Sequence, residues 1–166
     1  ILASILFHSC EKDELLTDAG ARPNFSTDTI MFDTVFVSIG SVTKNFRVYN
    51  PYDKTMKISS IRLAGGVGSL YRMNVNGLPG KSFTDVEIRG GDSIWIFVEV
   101  TINPNNQLLP YVVQDSIIFE TNGNQQDIDL VAWGQNAHFF VAKKESANLP
   151  PYVIIDTTLN STTTWD

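Results

Sequence analysis

The stretch SIWIFVEVTI, residues 93–102, decides the fold class of this chain. Every second side chain is β-branched and apolar, which is the pattern of a strand with one face in a core. The core face comprises Ile94, Ile96, Val98 and Val100. The opposite face shows Trp95 and Phe97. This period of two predicts a β-strand rather than a helix.

Similar short segments occur on both sides of this strand. They cover residues 29–37, 44–49, 55–63, 70–75, 82–88, 112–120 and 126–133. Turn residues separate them, and Gly90-Gly91-Asp92 and Asn122-Gly123-Asn124 have the composition of tight hairpins. No segment has the periodicity of a helix of normal length. Many short strands joined by turns predict an all-β fold, an antiparallel β-sandwich.

Composition limits the size of the fold and the kinds of partner. The chain has 166 residues, of which 43% are hydrophobic and 18% charged, as expected for about one globular domain. The net charge is −6, and the lysines and arginines form no cluster. Nucleic acid requires a basic surface, so we do not expect it as a partner.

Two sets of residues resemble a known family. The first is FRVYN, residues 46–50, followed by Ile58 and Ile61. The second comprises INP at 102–104, Tyr111, DSI at 115–117, Thr121-Asn122, IDL at 128–130 and Gly134. Together they resemble the ASH/MSP-type immunoglobulin-like domains over residues 25–136, although Ile102 replaces the usual aromatic residue. The resemblance implies an immunoglobulin-like β-sandwich and says little about function.

The N-terminal residues form an apolar run that ends at a cysteine. The run ILASILF, residues 1–7, is too short to cross a membrane but has the size of the end of a signal peptide. With Ser9 before Cys10, it resembles a bacterial lipobox, which implies that residues 1–9 are a signal-peptide remnant and that Cys10 is lipidated. Cys10 would then attach the chain to a membrane. The alternative is an apolar first strand with a buried thiol.

A charged run follows that cysteine. Glu11, Lys12, Asp13 and Glu14 resemble the surface-export signal of lipoproteins from the Bacteroidetes phylum, which implies the outer membrane and the cell surface. The alternative is a hydrophilic linker. Turn residues and weak periodicity over residues 15–24 predict that residues 10–24 form a lipidated tether.

The C-terminal part of the sequence is less regular. We assign residues 25–142 to the sandwich and residues 143–166 to a linker or to the entry of a following domain. Leu149-Pro150-Pro151 is expected to break regular structure, and a short apolar strand is expected over residues 152–156. This order resembles Bacteroidetes surface lipoproteins in which an immunoglobulin-like domain precedes a right-handed parallel β-helix. The alternative is a flexible C-terminus.

The sequence offers little catalytic chemistry. If residues 1–9 are removed as a signal peptide, His8 is lost with them and one histidine is left, His138. His138 lies among apolar residues and is interpreted as structural. A zinc site needs three or four ligands and a nucleophile needs an adjacent base, so neither is predicted. Asp127 and Asp129 share one strand face, as expected for a solvated sheet. We therefore predict no catalytic residue, no metal and no cofactor.

Four aromatic residues are candidates for a binding surface. They are Tyr49, Trp95, Phe97 and Trp133, each expected to point away from the core. If their strands are neighbours, they form an outward patch for a glycan or a protein, unless the C-terminal tail or a following domain covers it. The preferred hypothesis is a non-catalytic, lipid-anchored surface module that spaces, docks or binds. The alternative is an accessory domain of a carbohydrate-active β-helix enzyme whose catalytic part lies beyond residue 166.

Overall fold

A computed structural model describes residues 14–36, 40–102, 111–135, 144–146 and 149–152. These residues form β-strands and one short 3-10 turn, Gly66–Gly68, and they contain no α-helix. Sheet I contains, in spatial order, β1 (Asn24–Phe25), β3 (Lys44–Tyr49), β8 (Ser93–Val100), β5 (Tyr71–Val75) and β6 (Leu78–Gly80). Sheet II contains β2 (Thr29–Phe36), β10 (Asn124–Gln135), β9 (Tyr111–Thr121), β4 (Met56–Leu63) and β7 (Ser82–Ile88).

The two sheets pack face to face, and the predicted immunoglobulin-like β-sandwich is confirmed. On β8, the four residues assigned to the core are all buried, while Trp95 and Phe97 are exposed. Aromatic side chains connect the sheets, with the rings of Phe25 and Phe119 4.7 Å apart and those of Phe46 and Phe119 6.3 Å apart. The neighbouring strands are antiparallel except β2, which pairs in parallel with β10 at the edge of sheet II.

Asn-Gly pairs form two of the hairpin turns. Asn122 and Gly123 have φ angles of 49° and 82° and join β9 to β10, as the sequence predicted. Asn76 and Gly77, with φ angles of 49° and 91°, join β5 to β6. Both central residues of this turn type need positive φ, which asparagine and glycine tolerate best. The second hairpin adds the short edge strand β6, which the sequence did not predict.

The segment Gly90-Gly91-Asp92 does not form the predicted hairpin. It connects β7 in sheet II to β8 in sheet I, so it is a corner at which the chain crosses between sheets. Gly90 packs against the backbone of Asp53, and the Gly91 amide donates to the Tyr52 carbonyl at 2.9 Å. Glycine is needed here because two chain segments approach closely, not because two strands turn back on each other.

Residues 14–23, which we call the strap, lie against the sandwich. The sequence predicted a tether, but the Leu16 amide donates to the Thr55 carbonyl at 2.8 Å, and the Thr55 amide donates to the Glu14 carbonyl at 3.0 Å. Glu14 also pairs with Lys54 at 3.0 Å. The start of the strap is therefore attached beside the first residue of β4.

Side chains of the β9–β10 hairpin hold the rest of the strap. The Asn122 side-chain amide donates to the Asp18 carbonyl at 2.9 Å, and the Asn124 amide donates to the Ala19 carbonyl at 2.6 Å. Arg22 donates to the Asn124 side-chain oxygen at 3.1 Å. Because these partners lie about 100 positions away in sequence, no local pattern could reveal the attachment.

A separate unit begins at Ala137. Its described residues form a two-stranded antiparallel hairpin of β11 (Lys144–Ser146) and β12 (Leu149–Tyr152). The expected break at Pro150 and Pro151 is therefore wrong, because among the described residues β12 is an edge strand of a two-stranded sheet, where a missing backbone donor is tolerated. The strand expected over residues 152–156 lies outside the described residues except for Tyr152, and so do His138 and the residues after 152.

Tyr71 on β5 places its hydroxyl group in the interior. The side chain is fully buried, and its hydroxyl donates to the Val113 carbonyl at 2.8 Å. Burial raises the pKa of the Tyr71 phenol above its usual value of 10.0, and the Asp115 carboxylate raises it further. The phenol therefore stays neutral in the folded state at pH values at which it ionises in the unfolded chain.

This raised pKa predicts an alkaline loss of stability. The neutral phenol contributes fully to the free energy of unfolding below about pH 10. This contribution is lost as the pH rises toward the folded-state pKa, because the unfolded chain releases the phenol proton at lower pH than the folded chain does. Tyr71→Phe should cost about 1 kcal/mol at pH 7, where one hydrogen bond is lost. The difference in melting temperature between the two proteins should shrink above pH 10. A difference that stays constant to pH 12 would contradict this assignment.

Candidate functional site

Three of the four predicted aromatic residues lie together on the outer face of sheet I. Trp95 and Phe97 on β8 are 40% and 37% exposed, and their ring centroids are 6.3 Å apart with a 30° angle between planes. Tyr49 lies on the adjacent strand β3, opposite Ser93, and is half-buried. We call this outer surface of β3, β8 and β5 the aromatic face.

Trp133 lies on the other sheet. It occupies β10 in sheet II, opposite Val112 on β9, and it is half-buried. Because β10 neighbours β2 and β9, and neither β3 nor β8, Trp133 does not join the aromatic face. The expected patch of four residues is therefore a group of three, and Trp133 points outward from the opposite side of the sandwich.

An arginine that the sequence analysis did not select completes the aromatic face. Arg47 lies directly opposite Trp95 in the ladder between β3 and β8. Its guanidinium carbon is 4.1 Å from the centroid of the Trp95 ring, a cation–π arrangement. Its Nε is buried without a hydrogen-bond partner. Among the described residues, no carboxylate forms an ion pair with Arg47.

A groove of about 630 Å³ continues the aromatic face from Phe97 toward β5 and β6. Its lining is mostly apolar. The residues that line it are Thr43, Arg72, Met73, Asn74, Gly77, Pro79, Gly80, Lys81, Phe97, Val98 and Glu99. Only Phe97 among them was a candidate from sequence, since the others come from four separate segments that the strand order brings together.

Internal contacts fix the walls of this groove. Arg72 pairs with Glu99 at 3.2 Å and donates to the Thr101 hydroxyl at 2.9 Å. Lys81 donates to the Ser69 carbonyl at 2.6 Å, and the Asn74 side chain accepts from the Gly77 amide at 2.8 Å. The groove is therefore formed without a ligand, as small-molecule sites usually are.

The other predicted site residues lie mostly outside the described part of the chain. This applies to Cys10, Glu11, Lys12 and Asp13, whereas Glu14 is exposed and paired with Lys54. Among the described residues, no group of three or more histidines, cysteines or acidic residues could hold a metal ion.

The two aspartates weighed as a carboxylate pair, Asp127 and Asp129, are exposed on the outer face of sheet II, as predicted. A search for membrane-spanning helices, restricted to the described residues, finds none that is long and apolar enough.

No protein-family model and no curated protein matches the chain. Among solved structures it is similar to a family 123 glycoside hydrolase from Clostridium perfringens, with 10% identity, coverage of 66% of this chain and 23% of that one, and a TM-score of 0.47. It is also similar to the ASH/PapD-like domain 7 of human CEP192, with 11% identity, coverage of 82% of this chain and 100% of that one, and a TM-score of 0.45. A third similar structure is the E. coli chaperone DraB, with 9% identity, coverage of 68% of this chain and 54% of that one, and a TM-score of 0.43. Similarity at this level gives no information about what this chain binds or does.

Proposed function

We propose that this chain is a non-catalytic module of a surface lipoprotein of the Bacteroidetes type. In this proposal an acyl group on Cys10 anchors it to the outer membrane, and the sandwich holds a binding face and the residues that follow it away from the lipid. The structure supports the sandwich, and the sequence motif around Cys10 supports the anchor.

The observation that carries the spacing role is the position of the two ends of the sandwich. The strap enters beside Thr55 and the turn at Asn122, where β10 begins. The chain leaves at Gln135, where β10 ends. Because β10 has 12 residues and a strand rises about 3.3 Å per residue, entry and exit are separated by roughly 36 Å. The length of one strand therefore sets the distance.

The strap also limits the distance between the proposed anchor and the sandwich. Four peptide units separate Cys10 from Glu14, whose carbonyl accepts from the amide of Thr55, the residue just before β4. Even a fully extended chain of that length spans only about 14 Å. A free tether up to residue 24 would reach more than three times as far. The attached strap thus keeps the entry end of the sandwich within about 14 Å of the proposed anchor, and the exit end lies roughly 36 Å from the entry end.

Replacement of the cysteine tests the anchor. In cells expressing the full-length gene, Cys10→Ala should move the protein from the membrane fraction to the soluble fraction and abolish incorporation of labelled acyl chains. Within these 166 residues Cys10 carries the only thiol, so no other side chain among them can accept the lipid. Ser9→Ala serves as the matched control and should remain acylated. A Cys10→Ala protein that still carries labelled acyl chains would contradict the proposal.

A further inference from the structure

We infer that the aromatic face binds an acidic oligosaccharide, a chain of sugar rings that carry carboxylates. This deepens the proposed function and rests on it, since the face must be displayed outside the cell to meet such a ligand. The inference depends on three features of sheet I: two neighbouring exposed rings, an arginine without a carboxylate partner, and a groove that begins where the rings end.

The two rings form a platform of the kind that sugars contact. Trp95 and Phe97 alternate along one strand, so they present adjacent surfaces on the same side of the sheet. Their planes differ by only 30°. The C–H groups of a sugar ring pack on an aromatic surface, since the ring face carries partial negative charge. Because Arg47 covers one side of the Trp95 ring, successive units of a chain would stack on the other side of that ring and on Phe97.

The charge of the face favours an anionic ligand. Arg47 lies over Trp95 and has no carboxylate partner among the described residues, whereas Arg72 is already paired with Glu99. A guanidinium binds a carboxylate with paired hydrogen bonds, and because Arg47 stacks on the Trp95 ring with its Nε buried, its two terminal nitrogens would meet a uronate group beside that ring. The ligand would supply the negative charge that the protein itself does not place there.

The two outer faces of the sandwich differ in the sign of their charge. The aromatic face carries Arg47 and Arg72 against one acid, Glu99, in a chain whose net charge is −6. The outer face of sheet II carries Lys57 and Arg62, each paired with an acid, and in addition Asp127 and Asp129, both exposed. An acidic chain would therefore be attracted to sheet I and repelled from sheet II, which distinguishes the two faces as binding surfaces.

The groove provides space for further sugar units. It begins at Phe97, and its volume of about 630 Å³ lies within the usual range of ligand sites. Thr43, Asn74 and Glu99 offer hydroxyl, amide and carboxylate groups around an apolar floor that includes Pro79. Hydroxyl groups of a sugar need such partners, while its C–H surface needs the apolar floor.

Titration of the full chain with defined sugars tests the inference. The probes are tetramers of galacturonic acid, a hyaluronan tetrasaccharide and a sialylated oligosaccharide, with the methyl ester of the galacturonate tetramer as the matched neutral probe. We expect at least one acidic probe to bind and its affinity to fall as salt is raised. Lack of binding by all three, or equal binding of the galacturonate tetramer and its neutral ester, would overturn the inference.

Variants locate the site. Arg47→Gln and Trp95→Ala should each weaken binding of the acidic probe about tenfold or more, because each removes a direct contact. Trp133→Ala is the matched control on the opposite sheet and should leave binding unchanged. Both tryptophan variants should keep a cooperative melting transition. A loss of binding in Trp133→Ala equal to that in Trp95→Ala would also overturn the inference, and neither result depends on whether Cys10 is acylated.

Discussion

Gly90→Ala should lower the free energy of unfolding by about 3 kcal/mol or more. A Cβ at this position would lie 2.0 Å from the carbonyl oxygen of Asp53 and 2.3 Å from its carbonyl carbon. Both atoms belong to the backbone, so no side-chain rotation can relieve the clash. The main chain must move at the corner between β7 and β8, where the chain passes from one sheet to the other.

Gly68→Ala provides the matched control for this prediction. A Cβ added there would meet no atom within 4 Å, and the residue does not have a positive φ angle. Its stability should change by less than about 0.5 kcal/mol. Urea unfolding of the three proteins measures the difference. If both alanine variants have the same midpoint, the close approach of Gly90 to Asp53 is not a feature of the protein.

Asn50→Ala should be comparably damaging, with a loss of about 3 kcal/mol. The Asn50 side chain is 1% exposed. Its side-chain nitrogen lies 2.8, 2.9 and 3.0 Å from the carbonyl oxygens of Lys54, Ile88 and Arg89, so one of its two N–H groups is shared between two carbonyls, and its oxygen accepts from the Tyr52 amide at 3.0 Å. Alanine would remove these hydrogen bonds together, and each buried group left without a partner costs about 1–3 kcal/mol, whereas the Arg89 carbonyl still accepts from the Asp92 amide at 3.1 Å.

Two further variants distinguish hydrogen bonding from simple loss of volume. Asn50→Asp keeps the shape and the acceptor oxygen but removes the donors, so it should be destabilised at least as much as Asn50→Ala at neutral pH. Asn45→Ala removes an exposed asparagine from β3, the strand that ends just before Asn50, and should change the unfolding free energy by less than about 0.5 kcal/mol. If Asn50→Asp changes the unfolding free energy only slightly, the amide donors of Asn50 do not stabilise the chain at the end of β7.

The sequence predicts the strands of this fold well because their signal is local. Alternation alone gives β3 and β7 with both ends correct, and it assigns the buried face of β8. The Asn122-Gly123 turn is also local, since asparagine and glycine adopt positive φ at little cost. These features depend on residues within a few positions of each other, so a single sequence contains the information.

Features that depend on distant pairing could not be predicted in the same way. Gly90-Gly91-Asp92 indicates a change of direction but not whether the flanking strands belong to one sheet. Trp133 has the outward orientation that was predicted, yet its sheet depends on the order of all the strands. The partnership of Arg47 with Trp95 and the groove beyond Phe97 likewise arise only when β3, β8 and β5 become neighbours.

The strap illustrates the same limit from the N-terminal side. Residues 14–23 have no periodicity that would mark them as part of the fold, and their composition is that of a linker. They are held because Asn122, in the turn of the β9–β10 hairpin, and Asn124, the first residue of β10, direct their amides at strap carbonyls. Conversely, the lipid anchor depends on a local motif around Cys10, and it stays a prediction from sequence.

Antibody labelling of intact cells tests the central claim, a lipid-anchored module on the cell surface, most directly. Cells expressing the full-length gene should bind an antibody raised against the folded sandwich without permeabilisation. Changing Lys12, Asp13 and Glu14 together to alanine should keep the protein in the membrane fraction but make labelling depend on opening the outer membrane. Labelling of the unaltered protein that requires permeabilisation would contradict the account.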